Sequence, residues 1–319
     1  MKLTYLGLLA CFCASTAGLC QTAQDVDTNA APEFTRQRDI IYGRKHGMAL
    51  TLDVFTPKDA QGIGVLWIVS GSGQSSVERI DRPSYQRCFR TLLAGGYTLF
   101  AVVHSSTPRF TLQDMVPDVH RAVRFVRCRA GDFGVDGTRL GIAGASAGGT
   151  LSLLIGTTGL AGDPNHPDPV ERVSSRVQAV GCFFAPSDWL DFDGQGTDVL
   201  AFQRTKYGSV DPSFAFYEID PDQQTCSAMT DEKGIRSLLR EYSPIAHATR
   251  GDAPTLIIHG DADPFIPIQQ SRRIIQRCEE NSVPCRLVVQ SGKGHGWENW
   301  ERDTALIADW FDIHLCRKQ

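Results

Sequence analysis

The residue best suited to covalent chemistry is a serine among small neighbours, in Gly144-Ala145-Ser146-Ala147-Gly148-Gly149. The run Leu140–Ala143 before it reads as a buried strand, and the residues from Ala147 open a helix. Gly-x-Ser-x-Gly between a strand and a helix is the pattern of a strained turn that presents a nucleophile. The flanks must be small because bulky side chains would collide with the tightly turned backbone. The turn pushes the Ser146 hydroxyl outward and aims the Ala147 N–H, at the helix start, toward a developing oxyanion. Alone, the motif is weak in a chain with 30 glycines; its strand–turn–helix setting gives it weight.

A serine hydroxyl is a poor nucleophile until a base takes its proton. For a nucleophile on such a turn, an acid and then a histidine come later in the chain. Downstream, the buried-strand run Thr255–Ile258 leads into His259-Gly260-Asp261-Ala262-Asp263-Pro264-Phe265-Ile266-Pro267, which offers two carboxylates, Asp261 and Asp263. After a further strand, Arg286–Val289, comes Ser291-Gly292-Lys293-Gly294-His295-Gly296-Trp297. Glycines on both sides let the His295 loop come close to the serine. His314 falls in the final amphipathic helix, and His259 reads as a structural hydrogen-bonder, so His295 is the candidate base.

These positions meet only if the intervening elements bring them together. Uninterrupted apolar runs at Val65–Val69, Thr98–Val103, Leu140–Ala143, Val177–Phe183, Thr255–Ile258 and Arg286–Val289 suit strands buried on both faces of a parallel sheet. Ile40–Tyr42 and Leu50–Phe55 precede them, the second alternating at period two. Helical periodicity appears at Tyr85–Leu93, Met115–Cys128, Ala147–Ile155, Ile268–Glu280 and Thr304–Leu315. The alternation predicts an α/β fold with a mostly parallel central sheet and helices on both faces.

The rhythm breaks at 187–242, a polar, turn-rich stretch that reads as a cap-like insertion over one end of the sheet. Its Trp189, Phe192, Phe202, Tyr207, Phe214, Phe216 and Tyr217 either line a substrate wall or pack the insertion down. The spacing of Asp188, Asp191, Asp193 and Asp198 is like that of a calcium loop without its terminal glutamate, and reads as a solvated acidic turn.

Composition bounds the rest. The 319 residues carry 32 Lys+Arg against 36 Asp+Glu, for a net charge of −4, and are 42% hydrophobic. That balance excludes intrinsic disorder, a collagen-like rod and a polytopic membrane protein, and argues against nucleic acid as a partner. Residues 1–20 read as a secretory signal peptide: Lys2, an apolar stretch from Leu3 to Phe12, then small residues from Ala14 to Gly18. This predicts a secreted or periplasmic protein with no stable membrane insertion. Residues 21–37 read as a flexible leader and 38–319 as the folded domain. Seven cysteines lie beyond the signal, an odd number, of which Cys278 and Cys285 are the only pair close in sequence and candidates for a staple. Zinc-type spacing is absent, so no metal or cofactor is expected.

Taken together, Gly-Ala-Ser-Ala-Gly-Gly, His-Gly-Asp-Ala-Asp-Pro-Phe-Ile-Pro and Gly-Lys-Gly-His-Gly resemble the α/β-hydrolase superfamily. The nearest flavour is its bacterial acetyl-esterase/feruloyl-esterase-like and prolyl-oligopeptidase-like members. The likeness spans Arg38 to Leu315. It implies Ser146, Asp263 and His295 as the catalytic residues, with Asp263 as the acid. It also implies backbone oxyanion donors at Ala147 and after the third strand. There, esterase-type members often carry His-Gly-Gly-Gly, whereas this chain has Val69-Ser70-Gly71-Ser72-Gly73-Gln74. Gly71 or Ser72 is the candidate second donor. The implied activity is a serine carboxylesterase on small-molecule or carbohydrate esters, acetyl or feruloyl. A peptidase lacking the usual propeller and a lipase are the alternatives.

Overall fold

The continuous apolar runs become the inner strands of one sheet. In the computed structural model, which describes residues 32–220, 222, 223 and 225–316, the strands are β1 (Phe34–Lys45), β2 (Met48–Pro57), β3 (Gly64–Ile68), β4 (Thr98–Val102), β5 (Leu140–Ala145), β6 (Ala179–Phe183), β7 (Tyr217–Asp220), β8 (Thr225–Ala228), β9 (Thr255–Gly260) and β10 (Cys285–Gln290). Eight of them form a sheet in the order β1-β2-β4-β3-β5-β6-β9-β10. From β4 to β10 all neighbours are parallel; β2 pairs antiparallel with both β1 and β4. Every residue of β3, β4, β5, β6 and β9 is buried, which is why these segments carry no polar alternation.

The helices are α1 (Val77–Ile80), α2 (Pro83–Ala94), α3 (Leu112–Cys128), α4 (Ala147–Thr158), α5 (Val199–Tyr207), α6 (Glu232–Glu241), α7 (Pro244–His247), α8 (Gln269–Glu280) and α9 (Thr304–Leu315). Alternate residues of a strand serve opposite faces. Leu66 and Ile68 of β3 join the core with Val119 and Val123 of α3, Leu154 of α4 and Ile274 of α8. Val65 and Trp67 join the other core with Phe89 and Leu92 of α2 and Ile307 and Phe311 of α9. The result is an α/β-hydrolase fold.

The strand order reverses around β3. Its parallel neighbours are β4 on one side, with Ile68 opposite Val102, and β5 on the other, with Ile68 opposite Gly144. The connections leaving β3 and β5 therefore diverge and leave a crevice at the carboxyl edge of the sheet, where open α/β sheets bind ligands.

Two expectations shift. The first strand starts at Phe34, inside the segment read as leader, because Phe34–Gln37 pairs with Val54–Pro57 and Arg36 bridges Asp53 and Asp81. The seven cysteines of the described residues are all free thiols, Cys278 and Cys285 included. Those two approach from the last turn of α8 and the first residue of β10 within hydrogen-bonding reach, without a disulfide. The expected signal peptide lies outside the described residues. No described helix is long and apolar enough to cross a membrane.

The insertion leaves after β6 and returns to β9. It holds α5, the β7–β8 hairpin and α6, none of which stood out in the sequence. Its base is fixed by the fully buried Gln270 of α8. The Gln270 amide oxygen accepts from the N–H groups of Ser187 and Asp188, 2.7 Å each, and its nitrogen donates to the carbonyls of Asp188, Asp191 and Phe192. At the other end, Gln113 of α3 exchanges hydrogen bonds with the Tyr217 backbone, and the Tyr217 hydroxyl donates to Asp114. The four aspartates of the acidic turn are held by the protein itself. Asp188 and Asp191 pair with Arg273, Asp193 accepts from two turn N–H groups, and Asp198 caps α5.

Candidate active site

Ser146 sits between β5 and α4 with φ 54° and ψ −122°, a conformation disfavoured for a side chain with a Cβ. Tight packing enforces it. A Cβ on Gly144 would stand 2.5 Å from the Gly148 carbonyl, and one on Gly148 would stand 2.4 Å from the Ile68 oxygen. The small flanks thus let α4 press its first turn against the ends of β3 and β5. The Ser146 N–H donates to the Phe183 carbonyl (3.0 Å), which ties the turn to the end of β6.

The structure brings Ser146, His295 and Asp263 into one chain of contacts. His295 Nε2 lies 3.1 Å from Ser146 Oγ, and His295 Nδ1 lies 2.7 Å from Asp263 Oδ2. The Asp263 side chain is fully buried. Its Oδ1 accepts from the N–H groups of Phe265 (2.8 Å) and Ile266 (3.0 Å), and His259 Nε2 stands 3.3 Å from Oδ2. Burial by itself would push this carboxyl up; hydrogen bonds from His259, His295 and the Ile266 N–H outweigh it and hold the group well below the usual carboxylate range.

The two carboxylates left open by spacing are separated by their contacts. Asp261 is not the imidazole's partner; its Oδ1 accepts from the Gly292 N–H (2.6 Å), so it moors the loop that carries His295. His259 is held by Ser271 Oγ at Nδ1 and reaches Asp263 from behind, a hydrogen-bonding role. His104, which stood at a carboxyl edge in the sequence, is buried and does not line the cavity, with Nδ1 bonded to the Ser105 carbonyl. Burial pulls its pKa down to about 4, so it is neutral.

The turn after β3 decides between the two candidate oxyanion donors. Gly71 and Gln74 exchange backbone hydrogen bonds of 3.0 Å, while Ser72 (φ 49°) and Gly73 (φ 66°) form the left-handed tip. The Gly71 N–H is therefore spent inside the turn, which corrects the expectation for that residue. The Ser72 N–H has no partner among the described residues, and Ser72 lines the cavity beside Ala147. Ala147 is the first residue of α4, so its N–H has no intrahelical acceptor. Thr107 fixes the turn: its N–H donates to the Gly73 carbonyl (3.1 Å) and its hydroxyl to the Ser72 carbonyl (3.3 Å).

A cavity of about 520 Å³ opens over Ser146, Ala147 and His295. Leu112, Met115 and Leu151 form one side; Trp189, Phe192, Phe202, Tyr207 and Phe214 come from the insertion, and Phe265 and Ile266 from the loop after β9. Phe216 and Tyr217 do not reach it: Phe216 packs against Phe214 and Tyr242, and Tyr217 tethers the hairpin. Sequence reasoning missed Phe184, whose ring lies 4.4 Å from the His295 ring, centroid to centroid. Its only signal was its place directly after a buried strand. Thr107 gave no signal at all.

Such an arrangement can draw a proton from Ser146 onto His295, stabilise the resulting imidazolium with Asp263, and offer N–H donors to a tetrahedral oxyanion. No group of three or more His, Cys, Asp or Glu able to hold a metal ion occurs among the described residues.

The BD-FAE family model matches residues 52–277 of the chain. Esterase LipC of Mycobacterium tuberculosis is 29% identical over 269 residues, covering 83% of this chain and 60% of that protein. The chain thus spans little more than half the length of these two relatives, 60% of LipC and 53% of the probable carboxylic ester hydrolase LipM from the same organism. Among solved structures, a truncated carbohydrate esterase from gut microbiota superposes with a TM-score of 0.67 at 21% identity, covering 90% of this chain and 98% of that one. An acetyl ester-xyloside bifunctional hydrolase from Caldicellulosiruptor lactoaceticus gives a TM-score of 0.67 at 19% identity, with 90% and 98% covered.

Proposed function

The chain belongs to the BD-FAE family, and from that premise we propose that it is a secreted serine carboxylesterase acting on acetyl or feruloyl esters of polysaccharide. The observation that carries the reading is the contact chain from Ser146 Oγ through His295 to the buried Asp263 carboxylate. Ser146 attacks the ester carbonyl as His295 takes its proton, and the Ala147 and Ser72 N–H groups receive the oxyanion. Collapse of the tetrahedral species breaks the bond to the alcohol, which leaves with the proton held on His295. Water, deprotonated by the same imidazole, then attacks the acyl-serine and restores the free hydroxyl.

The named relatives and the structural neighbours support an ester as substrate, and an acetylated carbohydrate accords with the neighbour described as an acetyl ester-xyloside hydrolase. Secretion or export to the periplasm rests on residues 1–20. The test is hydrolysis of p-nitrophenyl acetate, butyrate and octanoate beside Ser146→Ala. The variant is expected to lose activity by roughly four or more orders of magnitude. Equal rates in the two proteins would sink the assignment.

A further inference from the structure

Two large aromatic side chains are left in solvent at the mouth of the cavity: Tyr207 is 46% exposed and Phe265 52%. They come from separate elements. Tyr207 ends α5, and Phe265 comes after Asp263 in the loop leaving β9. Lys206 ties the two segments together by donating to the Pro264 carbonyl. The rings are 6.4 Å apart and inclined by 32°, so they form a shallow, nearly continuous apolar ledge. Exposed apolar surface that is held in place beside a reactive cavity marks a contact site.

Chemistry identifies which half of an ester the ledge meets. His295 must hand its proton to the departing alcohol, so the alcohol oxygen lies at the imidazole Nε2. Phe265 sets its ring edge-on to that same imidazole, 5.6 Å away. Phe265, and with it the ledge, thus stands beside the group that protonates the departing alcohol. Trp189, Phe192 and Phe214, all buried, wall the inner part of the same cavity and leave it for the acyl group. Polar side chains fringe the ledge. Gln203 spends its amide oxygen on the Asp211 N–H, and Asp211 uses Oδ1 on Ser213. The Gln203 NH2 group and Asp211 Oδ2 are left without hydrogen-bond partners among the described residues. Ser209 lines the same rim. A flat apolar surface beside amide, carboxylate and hydroxyl groups is complementary to a ring with an apolar C–H face and hydroxyls on its edge.

We propose that Tyr207 and Phe265 form the alcohol subsite, a platform for the face of a pyranose ring, with Gln203, Ser209 and Asp211 taking its hydroxyls. The proposal rests on the esterase reading and adds where the sugar sits. The first test compares kcat/KM for an O-acetylated methyl xyloside with that for ethyl acetate, whose alcohol is too small to span the ledge. Tyr207→Ala is expected to lower the ratio of the two on the order of 10-fold, and Tyr207→Phe, which keeps the ring, to preserve it. An unchanged ratio in Tyr207→Ala and in Phe265→Ala would overturn the proposal. An equal fall on both substrates would also overturn it, by showing that the rings only support His295. The second test needs no turnover: binding of the intact acetylated xyloside to Ser146→Ala protein, monitored by calorimetry or ligand-observed NMR. Adding Tyr207→Ala should weaken it by a similar factor, and undiminished binding would count against the platform. Failure of the esterase reading appears instead as wild-type protein inert toward ethyl acetate and p-nitrophenyl acetate alike.

Discussion

Replacing Asp263 by asparagine exchanges one oxygen for an NH2 group, and the surrounding hydrogen bonds dictate where that group must sit. The Phe265 and Ile266 N–H groups both point at Oδ1, at 2.8 and 3.0 Å, so an asparagine must keep its carbonyl oxygen there. Its NH2 group then replaces Oδ2, 2.7 Å from His295 Nδ1 and 3.3 Å from His259 Nε2. A donor at that place requires Nδ1 to be an acceptor, which moves the imidazole proton to Nε2. There it faces Ser146 Oγ at 3.1 Å, and the ring has no lone pair left for the serine proton. The imidazolium would also lose its neighbouring negative charge. Together these predict a fall in kcat/KM of about 10⁴-fold, or about 5.5 kcal/mol of transition-state stabilisation. The assay is p-nitrophenyl acetate hydrolysis from pH 6 to 9, with thermal unfolding recorded to confirm that the variant folds. Asp261→Asn is the control, because its amide oxygen can still accept the Gly292 N–H; its loss should stay below about 10-fold. An Asp263→Asn enzyme keeping more than one tenth of wild-type activity, or an Asp261→Asn enzyme falling equally far, would refute the reasoning.

Packing and burial lead to two more expected outcomes. Gly148→Ala places a Cβ 2.4 Å from the Ile68 oxygen, about 1 Å inside ordinary contact, so the first turn of α4 must shift and carry the Ala147 N–H with it. A loss of roughly 100-fold in kcat/KM is expected, with a destabilisation of about 1–3 kcal/mol by urea unfolding; wild-type values in both would contradict the account. His104 and His120 are buried, and burial pulls both down to about 4 from an ordinary 6.5. Between those values the unfolded chain binds more protons than the folded one, so stability is retained above about pH 6.5 and lost as pH falls toward 4. Each histidine contributes a slope approaching about 1.4 kcal/mol per pH unit. Urea midpoints from pH 4.5 to 7 should show it, with a flatter slope in His104→Gln and His120→Gln; an unaltered slope in the double variant would remove this cause.

The frame of the fold and the chemical identities of the reacting groups are written in local sequence. Uninterrupted apolar runs such as Val65–Val69 and Thr98–Val103 announce strands buried on both faces, because a strand covered by helices on either side has no solvent-facing side for alternating polar residues. Ser146, with Gly144 and Gly148 two residues to either side, and the glycine-flanked His295 are equally local statements, since a tight turn and a close loop approach restrict residue type where they occur. Contacts that form only on folding were not legible in the same way. Asp261 and Asp263 are two residues apart and chemically alike; what separates them is that two backbone N–H groups and two imidazoles converge on one, while Gly292 takes the other. Gly71 and Ser72 differ through a pair of turn hydrogen bonds that uses up one N–H and leaves its neighbour free of partners among the described residues. The insertion showed no rhythm because its order comes from tethers to distant elements, Gln270 at its base and Gln113 at its hairpin. Periodicity reports burial against a regular surface. Which donor meets which acceptor across 32 or 149 residues is set by convergence in three dimensions. For that reason the contacts that hold Asp263, the Ser72 N–H unpartnered among the described residues and the Tyr207–Phe265 ledge show only once the chain has folded, although the resemblance of His259–Pro267 to a family motif already pointed to Asp263 over Asp261.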